Sequence, residues 1–254
     1  MSRKLVQIIV FLISILISTE IRADSSVLPA LMLELEGGAV WQSYNDVQIP
    51  NNANGTRFSL VDVVGKGSWP AARLYVTWNV NETHGLRFLL APLNVTETSE
   101  LESPVDFAGS SFIAGMPVEA TYMFNSWRLS YRYRFHASER WRWWIGFTAK
   151  IRDAKIRLNQ GSEVAEKTDV GFVPLLHIAG TWSFASNWTG EIDIDALAGG
   201  PGRAEDVSLK ARYHFNEHWS MACGYRMVEG GADVDEVYTF AWLHFAVVSV
   251  SLGF

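Results

Sequence analysis

The sequence contains a single cysteine, Cys223, which excludes a disulfide within one chain and a metal site built on paired cysteines. After residue 23 it has no apolar run long enough to cross a membrane as a helix. Positive charge is also scarce, because residues 24–254 carry 18 basic and 26 acidic residues and a net charge of −8. This balance argues against nucleic acid as a partner. No motif indicates a cofactor or a metal, so we predict neither.

The first 23 residues are typical of a cleaved secretory signal peptide. A short basic segment, Met1 to Lys4, precedes a mainly apolar run from Leu5 to Ile17, and the small residue Ala23 precedes Asp24. The run is shorter than the roughly 20 residues of a membrane-spanning helix, which favours a signal over an anchor. We therefore predict a signal peptide at 1–23 and one domain at 24–254.

The last segment, 237–254, alternates with the period of a β-strand. Ala246, Val248, Val250, Leu252 and Phe254 share one face, and the other face near the end carries Ser249, Ser251 and Gly253. One face suits lipid and the other a tight or wet interior, as in a transmembrane β-strand. The alternation is ambiguous at 243–245, before this region. There Leu243 and Phe245 lie on the second face and His244 on the lipid face, unless a bulge turns His244 inward.

An aromatic residue, a short polar turn and a tryptophan recur along the chain. The motif occurs at 135–141, 184–188 and 215–219, with a looser version at 78–85. Rings that close one strand and open the next lie at the same height, which predicts an aromatic girdle at one membrane interface. The shortness of the turns favours the periplasmic side. The predicted girdle residues are Trp78, Phe135, Trp141, Phe184, Trp188, Phe215 and Trp219.

The signal, the alternation, the turns and Phe254 together resemble the outer-membrane β-barrel proteins of Gram-negative bacteria. The resemblance implies the outer membrane as location, with its lipids and lipopolysaccharide as partners. It also implies that the terminal Phe254 is a recognition signal for the barrel-assembly machinery. The fold class expected is all-β, a single up-and-down antiparallel transmembrane barrel.

Four inner turns, with both termini inside, give a count of about ten strands. Eight or twelve stay open, because 58–64 could extend a strand and 125–126 could form a turn that splits one. The predicted strands are 31–44, 70–79, 85–95, 118–135, 141–158, 169–184, 188–198, 205–215, 219–229 and 237–254.

Setting the register from the girdle aromatics predicts a charged lumen. The predicted lumen charge network comprises Arg128, Arg132, Arg134, Arg142, Lys150, Arg152, Glu191, Asp193, Asp195, Lys210, Arg212 and Arg226. Unpaired charges in a narrow dry lumen are costly, so ion pairs across strands or across the lumen would satisfy them. Such pairs would fill a small barrel and leave a structural or surface-interaction role. Alternatively, the basic residues would line a small pore that favours anions, with small solutes as partners.

A third hypothesis is a lipid-modifying enzyme, for which His177 and His244 are weak candidates. His177 is predicted in the lumen at mid-height, where a hydrogen-bonded structural role is the alternative. Serines on the same strand lie too far away to form a nucleophile–base pair, since Ser249 is about 17 Å from His244 along a strand. The alternative of a nucleophile on a neighbouring strand is left open by the sequence. We assign no catalytic residue from the sequence.

Overall fold

The computed structural model describes residues 28–200 and 202–254, so the predicted signal peptide at 1–23 lies outside the described residues. Within these ranges no helix is long and apolar enough to cross a membrane. The elements in chain order are β1 (Leu31–Gln48), β2 (Phe58–Ser59), α1 (Leu60–Val64), β3 (Gly67–Asn79), β4 (His84–Ala91), β5 (Asn94–Glu100), β6 (Val105–Phe107), β7 (Ser110–Phe112), β8 (Pro117–Ala137), β9 (Trp141–Gln160), β10 (Glu163–Ala185), β11 (Trp188–Gly199), β12 (Gly202–His214), β13 (Trp219–Val234) and β14 (Val237–Gly253).

Ten strands close one antiparallel barrel: β1, β3, β4 and β8 to β14. The ring is completed by β14 and β1, which pair from Met32 opposite Gly253 to Gln48 opposite Tyr238. The strand β5 pairs with β8 beyond the end of β4, after an interruption at Pro92, a residue that has no N–H to donate. The predicted all-β barrel with ten strands is confirmed, and the alternatives of eight and twelve are wrong.

The strands extend further than predicted at the end opposite the short aromatic turns, which we call the outer end. The predicted strands end at 158 and begin again at 169, but β9 and β10 continue until a tight turn where Gly161 adopts φ 64°, a conformation that glycine favours. Residues 125–126 do not form a turn, because β8 runs through them in register with β9. Residues 58–64 are not a strand extension. They form β2 and α1, in which Ser59 caps the helix by accepting from the Val61 N–H.

The barrel has polar side chains inside and apolar side chains outside. Phe147, Val170 and Leu35 are 66%, 71% and 60% exposed, whereas Glu36 and Arg128 are buried. Monomeric soluble proteins rarely expose contiguous apolar surface on this scale. The distribution is that of a barrel whose outer wall contacts lipid.

An apolar plug closes the outer end of the barrel. It consists of residues from α1, from the β6–β7 hairpin and from the segments beside that hairpin, which pack against the inner faces of β8, β9 and β14. Phe107 and Phe112 are fully buried, and Phe58 meets Phe107 edge-on with ring centroids 5.9 Å apart. The plug residues are Leu60, Val63, Val64, Leu101, Val105, Phe107 and Phe112.

Candidate functional site

The centre of the lumen is built around one carboxylate, that of Asp206 on β12. It accepts hydrogen bonds from Arg73 Nη1 at 3.1 Å, from Arg128 Nη2 at 2.7 Å and from Arg226 Nη1 at 2.5 Å. These three arginines come from β3, β8 and β13, and all four side chains are buried. Asp206 therefore links both sides of the barrel through charge-assisted hydrogen bonds.

A second set of ion pairs joins β1 to β11, β12 and β13. The Lys210 ammonium donates to Glu34 at 2.6 Å and to Glu36 at 3.2 Å, and Arg226 also pairs with Glu36 at 3.2 Å. Arg212 bridges Glu34 and Glu191 with distances of 3.0 and 2.5 Å. Buried charges of opposite sign satisfy one another here, as a dry lumen requires.

The acidic residues of β11 form ion pairs across the lumen and also hydrogen bonds with residues of nearby strands. Arg87 on β4 holds Asp193 in a two-pronged contact of 2.5 and 2.9 Å. Asp195 accepts from Arg128 at 2.9 Å, from the Thr148 hydroxyl at 2.8 Å and from the His177 ring at 2.8 Å. Most of the ion pairs described so far cross the lumen rather than join adjacent strands.

His177 is fully buried in this layer, as part of the only cluster of possible metal ligands in the described ranges. One ligand atom each from His177, Asp193 and Asp195 lies within 4.8 Å of the others. Both carboxylates, however, already accept from arginine guanidinium groups, and the Nδ1 atom of His177 is bonded to Asp195. Its Nε2 atom has no hydrogen-bond partner among the described residues. The cluster is ion-paired structure rather than an open set of metal ligands.

Five of the predicted lumen residues lie outside the central network. Arg134 pairs at 3.6 Å with Glu82 in an exposed turn, and Arg152 pairs with Asp169 on β10. Lys150 lies over the Phe124 ring at 4.9 Å, and Arg132 lies over the Trp144 ring at 4.8 Å. Within residues 28–200 and 202–254, Lys150, Arg132 and Arg142 have no carboxylate partner.

Sequence reasoning missed five charged residues of the network: Glu34, Glu36, Arg73, Arg87 and Asp206. A signal for them existed. Each lies an even number of residues from the inward positions of its own strand, and Asp206 is two residues before the inward Ser208. Extending the girdle register to β1, β3 and β4, and by one further inward position along β12, would have found them.

Below the network the lumen opens into a cavity at the inner end, where the short turns lie. Its volume is about 440 Å³, and Arg132, Arg142, Arg212 and His214 contribute to its wall. Above the network lies the apolar plug. The lumen thus contains an open inner vestibule, a central layer of ion pairs and an apolar outer layer.

The predicted girdle aromatics point outward at the inner end. Contacts between neighbouring rings run from Trp141 through Trp182, Phe184, Trp188 and Tyr213 to Phe215, with centroids 5.1 to 6.3 Å apart. Trp78 and Trp219 are outward-facing as well. At the same end the Phe254 N–H donates to the Leu31 carbonyl at 2.8 Å, which joins the chain end to the first strand.

His244 keeps the outward orientation that the terminal alternation predicts. The bulge that was considered on the last strand is instead on β1, where the pairing with β14 skips Ser43 between Gln42 and Tyr44. The inward Leu243 and Phe245 are apolar because they border the plug, not because the register changes. On the outer surface His244 Nε2 lies 2.8 Å from Ser43 Oγ, and Nδ1 lies 2.5 Å from the Tyr225 hydroxyl.

No protein-family model and no curated protein matches the sequence. Among solved structures, the chain is similar to the outer membrane protease OmpT from Escherichia coli, at 8% identity and a TM-score of 0.50 over 94% of this chain and 100% of that one. It is also similar to the attachment invasion locus protein Ail of Yersinia pestis, at 8% identity and a TM-score of 0.39 over 90% and 100%. The toluene transporter TodX of Pseudomonas putida matches at 13% identity and a TM-score of 0.33 over 95% and 93%. These proteins differ in role, so the likeness concerns the fold. By its closed antiparallel barrel, its apolar outer wall and its polar lumen, the chain is an outer-membrane β-barrel protein of the cell outer membrane.

Proposed function

We propose that this protein is a closed outer-membrane barrel with a structural or surface-interaction role, rather than a pore for solutes. Two successive layers obstruct the lumen. The central layer consists of mutually paired charges around Asp206, and the outer layer is the apolar plug, in which Leu60, Phe107 and Phe112 are fully buried.

The main observation behind the proposal is that the charged layer is buried. Arg128, Asp206 and Arg226 are at most 5% exposed, so water has little access to the middle of the barrel. A permeable channel needs a continuous wet path whose lining groups bind an ion weakly enough to release it. Guanidinium groups held at hydrogen-bonding distance from carboxylates are already neutralised and do not offer such a path.

The basic residues that favoured an anion pore are divided between different environments. Arg128 belongs to the central layer, Arg134 and Arg152 have their own carboxylate partners, and Arg142 borders the inner vestibule. A vestibule open at one end can admit small solutes without letting them cross. The proposed partners are therefore outer-membrane lipids and lipopolysaccharide at the outer wall, and the barrel-assembly machinery through Phe254.

The proposal predicts that folded protein in planar lipid bilayers produces no steady single-channel current. A matched variant in which a short Gly-Ser linker replaces 101–116 removes the β6–β7 hairpin and leaves the ion-paired layer. We expect this variant to be silent too, because the central layer alone blocks the lumen. Stable conductance steps from the folded wild-type protein would contradict the proposal. A difference in migration between unheated and heated protein in a denaturing gel verifies the folded state in both samples.

A further inference from the structure

A second feature, independent of the lumen, lies on the lipid-facing wall. Ser43, Tyr225 and His244 form one hydrogen-bonded chain there, which we call the outer-face cluster. The Ser43 hydroxyl is 2.8 Å from Nε2 of His244, and the Tyr225 hydroxyl is 2.5 Å from Nδ1. When Nδ1 carries the proton and donates it to Tyr225, Nε2 is free to accept from Ser43. This is the arrangement of a nucleophile, a general base and a group that orients the base.

The bulge in β1 creates this contact. Below it the even-numbered residues of β1 face the lumen, and above it the odd-numbered ones do, because Ser43 is inserted without a partner on β14. Ser43 and Tyr44 are consequently both exposed on the outer wall, where a regular strand would present only one of them. The extra residue brings the Ser43 hydroxyl to the imidazole of the adjacent strand.

Aromatic rings hold the imidazole in place. The His244 ring stacks on Trp41 with centroids 5.6 Å apart and an interplanar angle of 20°, and on Trp242 with 5.4 Å and 29°. Tyr225 approaches the same ring at 6.1 Å. A base whose orientation is fixed on both sides is prepared for proton transfer before a substrate arrives.

The height of the cluster identifies its substrate class. His244 is nine residues from Gly253, which corresponds to about 30 Å of strand. A strand tilt of about 40° reduces this to about 23 Å along the barrel axis, close to the upper edge of an apolar band about 25 Å tall. Trp41, Trp242 and Tyr225 are residue types that collect at such an interface. The carbonyl esters of acyl lipids lie at the same boundary between acyl chains and headgroups.

We propose that the outer-face cluster is an esterase site for acyl lipids of the outer leaflet. Ser43 Oγ attacks the ester carbonyl carbon, and its proton passes to Nε2 of His244. The bond between the carbonyl carbon and the lipid alcohol oxygen breaks, and that oxygen takes the proton from Nε2. Water then attacks the acyl-Ser43 ester by the same proton route, which releases a fatty acid and restores Ser43. Ser43 and His244 are the catalytic residues, and Tyr225 is a positioning residue.

The first test measures fatty-acid release by the folded protein in two kinds of vesicle. One contains only phosphatidylethanolamine and phosphatidylglycerol, and the other also contains hexa-acylated lipid A. Release in the first identifies glycerophospholipid as a substrate. Loss of an acyl chain from lipid A, seen by mass spectrometry in the second, identifies lipid A. Absence of fatty acid in both vesicles, with the barrel folded, overturns the proposal.

Single substitutions distinguish a catalytic role of the outer-face cluster from a purely structural one. Ser43→Ala and His244→Asn are expected to lower the rate by about 10²- to 10⁴-fold, the usual contribution of a positioned base and its nucleophile. Tyr44→Phe is the matched control, because Tyr44 is the adjacent outward residue and its hydroxyl contacts Tyr238 instead of His244. Equal rates in Ser43→Ala and Tyr44→Phe would refute the assignment.

Two further measurements address the individual roles. Tyr225→Phe is expected to lower kcat and leave KM unchanged, since Tyr225 orients the base without contacting the lipid. A fluorophosphonate probe, from which a serine nucleophile displaces fluoride, should label Ser43 in the wild-type protein and in Tyr44→Phe but not in His244→Asn. A purely structural hydrogen-bonded cluster would leave Ser43 unlabelled in all three proteins.

Discussion

The Arg128 guanidinium and the Asp206 carboxylate meet at 2.7 Å across the lumen, although 78 residues separate them in the chain. Asp206 has two further arginine partners, Arg73 and Arg226. One short side chain therefore compensates charges on three other strands. The Asp206 carboxylate should therefore contribute much more to the free energy of unfolding than an exposed acidic residue does.

Replacing Asp206 with asparagine should destabilise the barrel strongly. The substitution leaves three buried guanidinium groups without their shared counter-charge, and breaking a buried pair costs about 3–5 kcal/mol. The measurement is the free energy of unfolding in urea, with the protein folded into lipid vesicles.

Asp169→Asn is the control for this prediction, because the Asp169 side chain is 50% exposed in its pair with Arg152. An exposed pair contributes at most about 1 kcal/mol. Equal unfolding free energies for the two variants would show that the central layer is not a source of stability.

The apolar plug should be able to unfold locally while the barrel wall stays folded. Phe107→Ala is expected to cost about 3–5 kcal/mol of local stability, because it removes a fully buried ring. Hydrogen exchange of 101–116 should become faster while exchange in β11 to β13 is unchanged. Ile113→Ala serves as the comparison, since Ile113 is 54% exposed and its truncation should leave exchange unaltered. Uniformly faster exchange throughout the barrel would contradict a separable plug.

A charged residue on the outer wall should lower the unfolding free energy by an amount that depends on its depth in the bilayer. Phe147 is 66% exposed and lies six residues beyond Trp141 on β9, which is about 15 Å along the axis of a tilted strand and near the middle of an apolar band about 25 Å tall. Leu31 lies at the inner end of β1. Phe147→Arg should lower the unfolding free energy in vesicles by about 2–4 kcal/mol, and Leu31→Arg by about 1 kcal/mol or less. If both arginines had the same effect, the proposed position of the bilayer along the barrel would be wrong.

Replacing Phe254 with alanine, which keeps its backbone hydrogen bonds to Leu31, should reduce the amount of protein that reaches the outer membrane and leave the stability of the folded barrel unchanged. The resemblance to outer-membrane proteins implies that the terminal aromatic residue is read during assembly, and its side chain is 60% exposed in the folded barrel. We expect less of the variant in isolated outer membranes. Its unfolding free energy after refolding in vitro should equal that of the wild-type protein. A large loss of stability in vitro would instead assign Phe254 a packing role.

The strand count and most inward positions were predictable because each depends on a local pattern. The motifs at 135–141, 184–188 and 215–219 marked the inner turns, and a side-chain period of two then assigned the faces of the strands between them. The bulge at Ser43 was not predictable, since neither Ser43 nor its neighbours are residues that mark one. The plug was missed for a related reason. Residues 58–64 are apolar in either a strand or a helix, and only their packing over the lumen distinguishes the two.

The pairing of specific charges also depended on the closed ring. Glu191 and Arg212 lie on adjacent strands, so their contact could be expected from the register alone. Arg87 and Asp193 lie on strands separated by several others, and no pattern in the sequence relates their positions. The same holds for Ser43 and His244, which meet only because the first strand pairs with the last.

The distribution of the partners of Asp206 has a consequence for how the chain folds. Arg73, Arg128 and Arg226 belong to β3, β8 and β13, so the set is complete only when early, middle and late parts of the chain have come together. A partly assembled sheet that lacks β13 and β14 would carry uncompensated charge on a surface that is about to be enclosed. Closure and charge compensation should therefore occur in a single cooperative step, and a chain shortened by its last two strands should not form a smaller stable barrel.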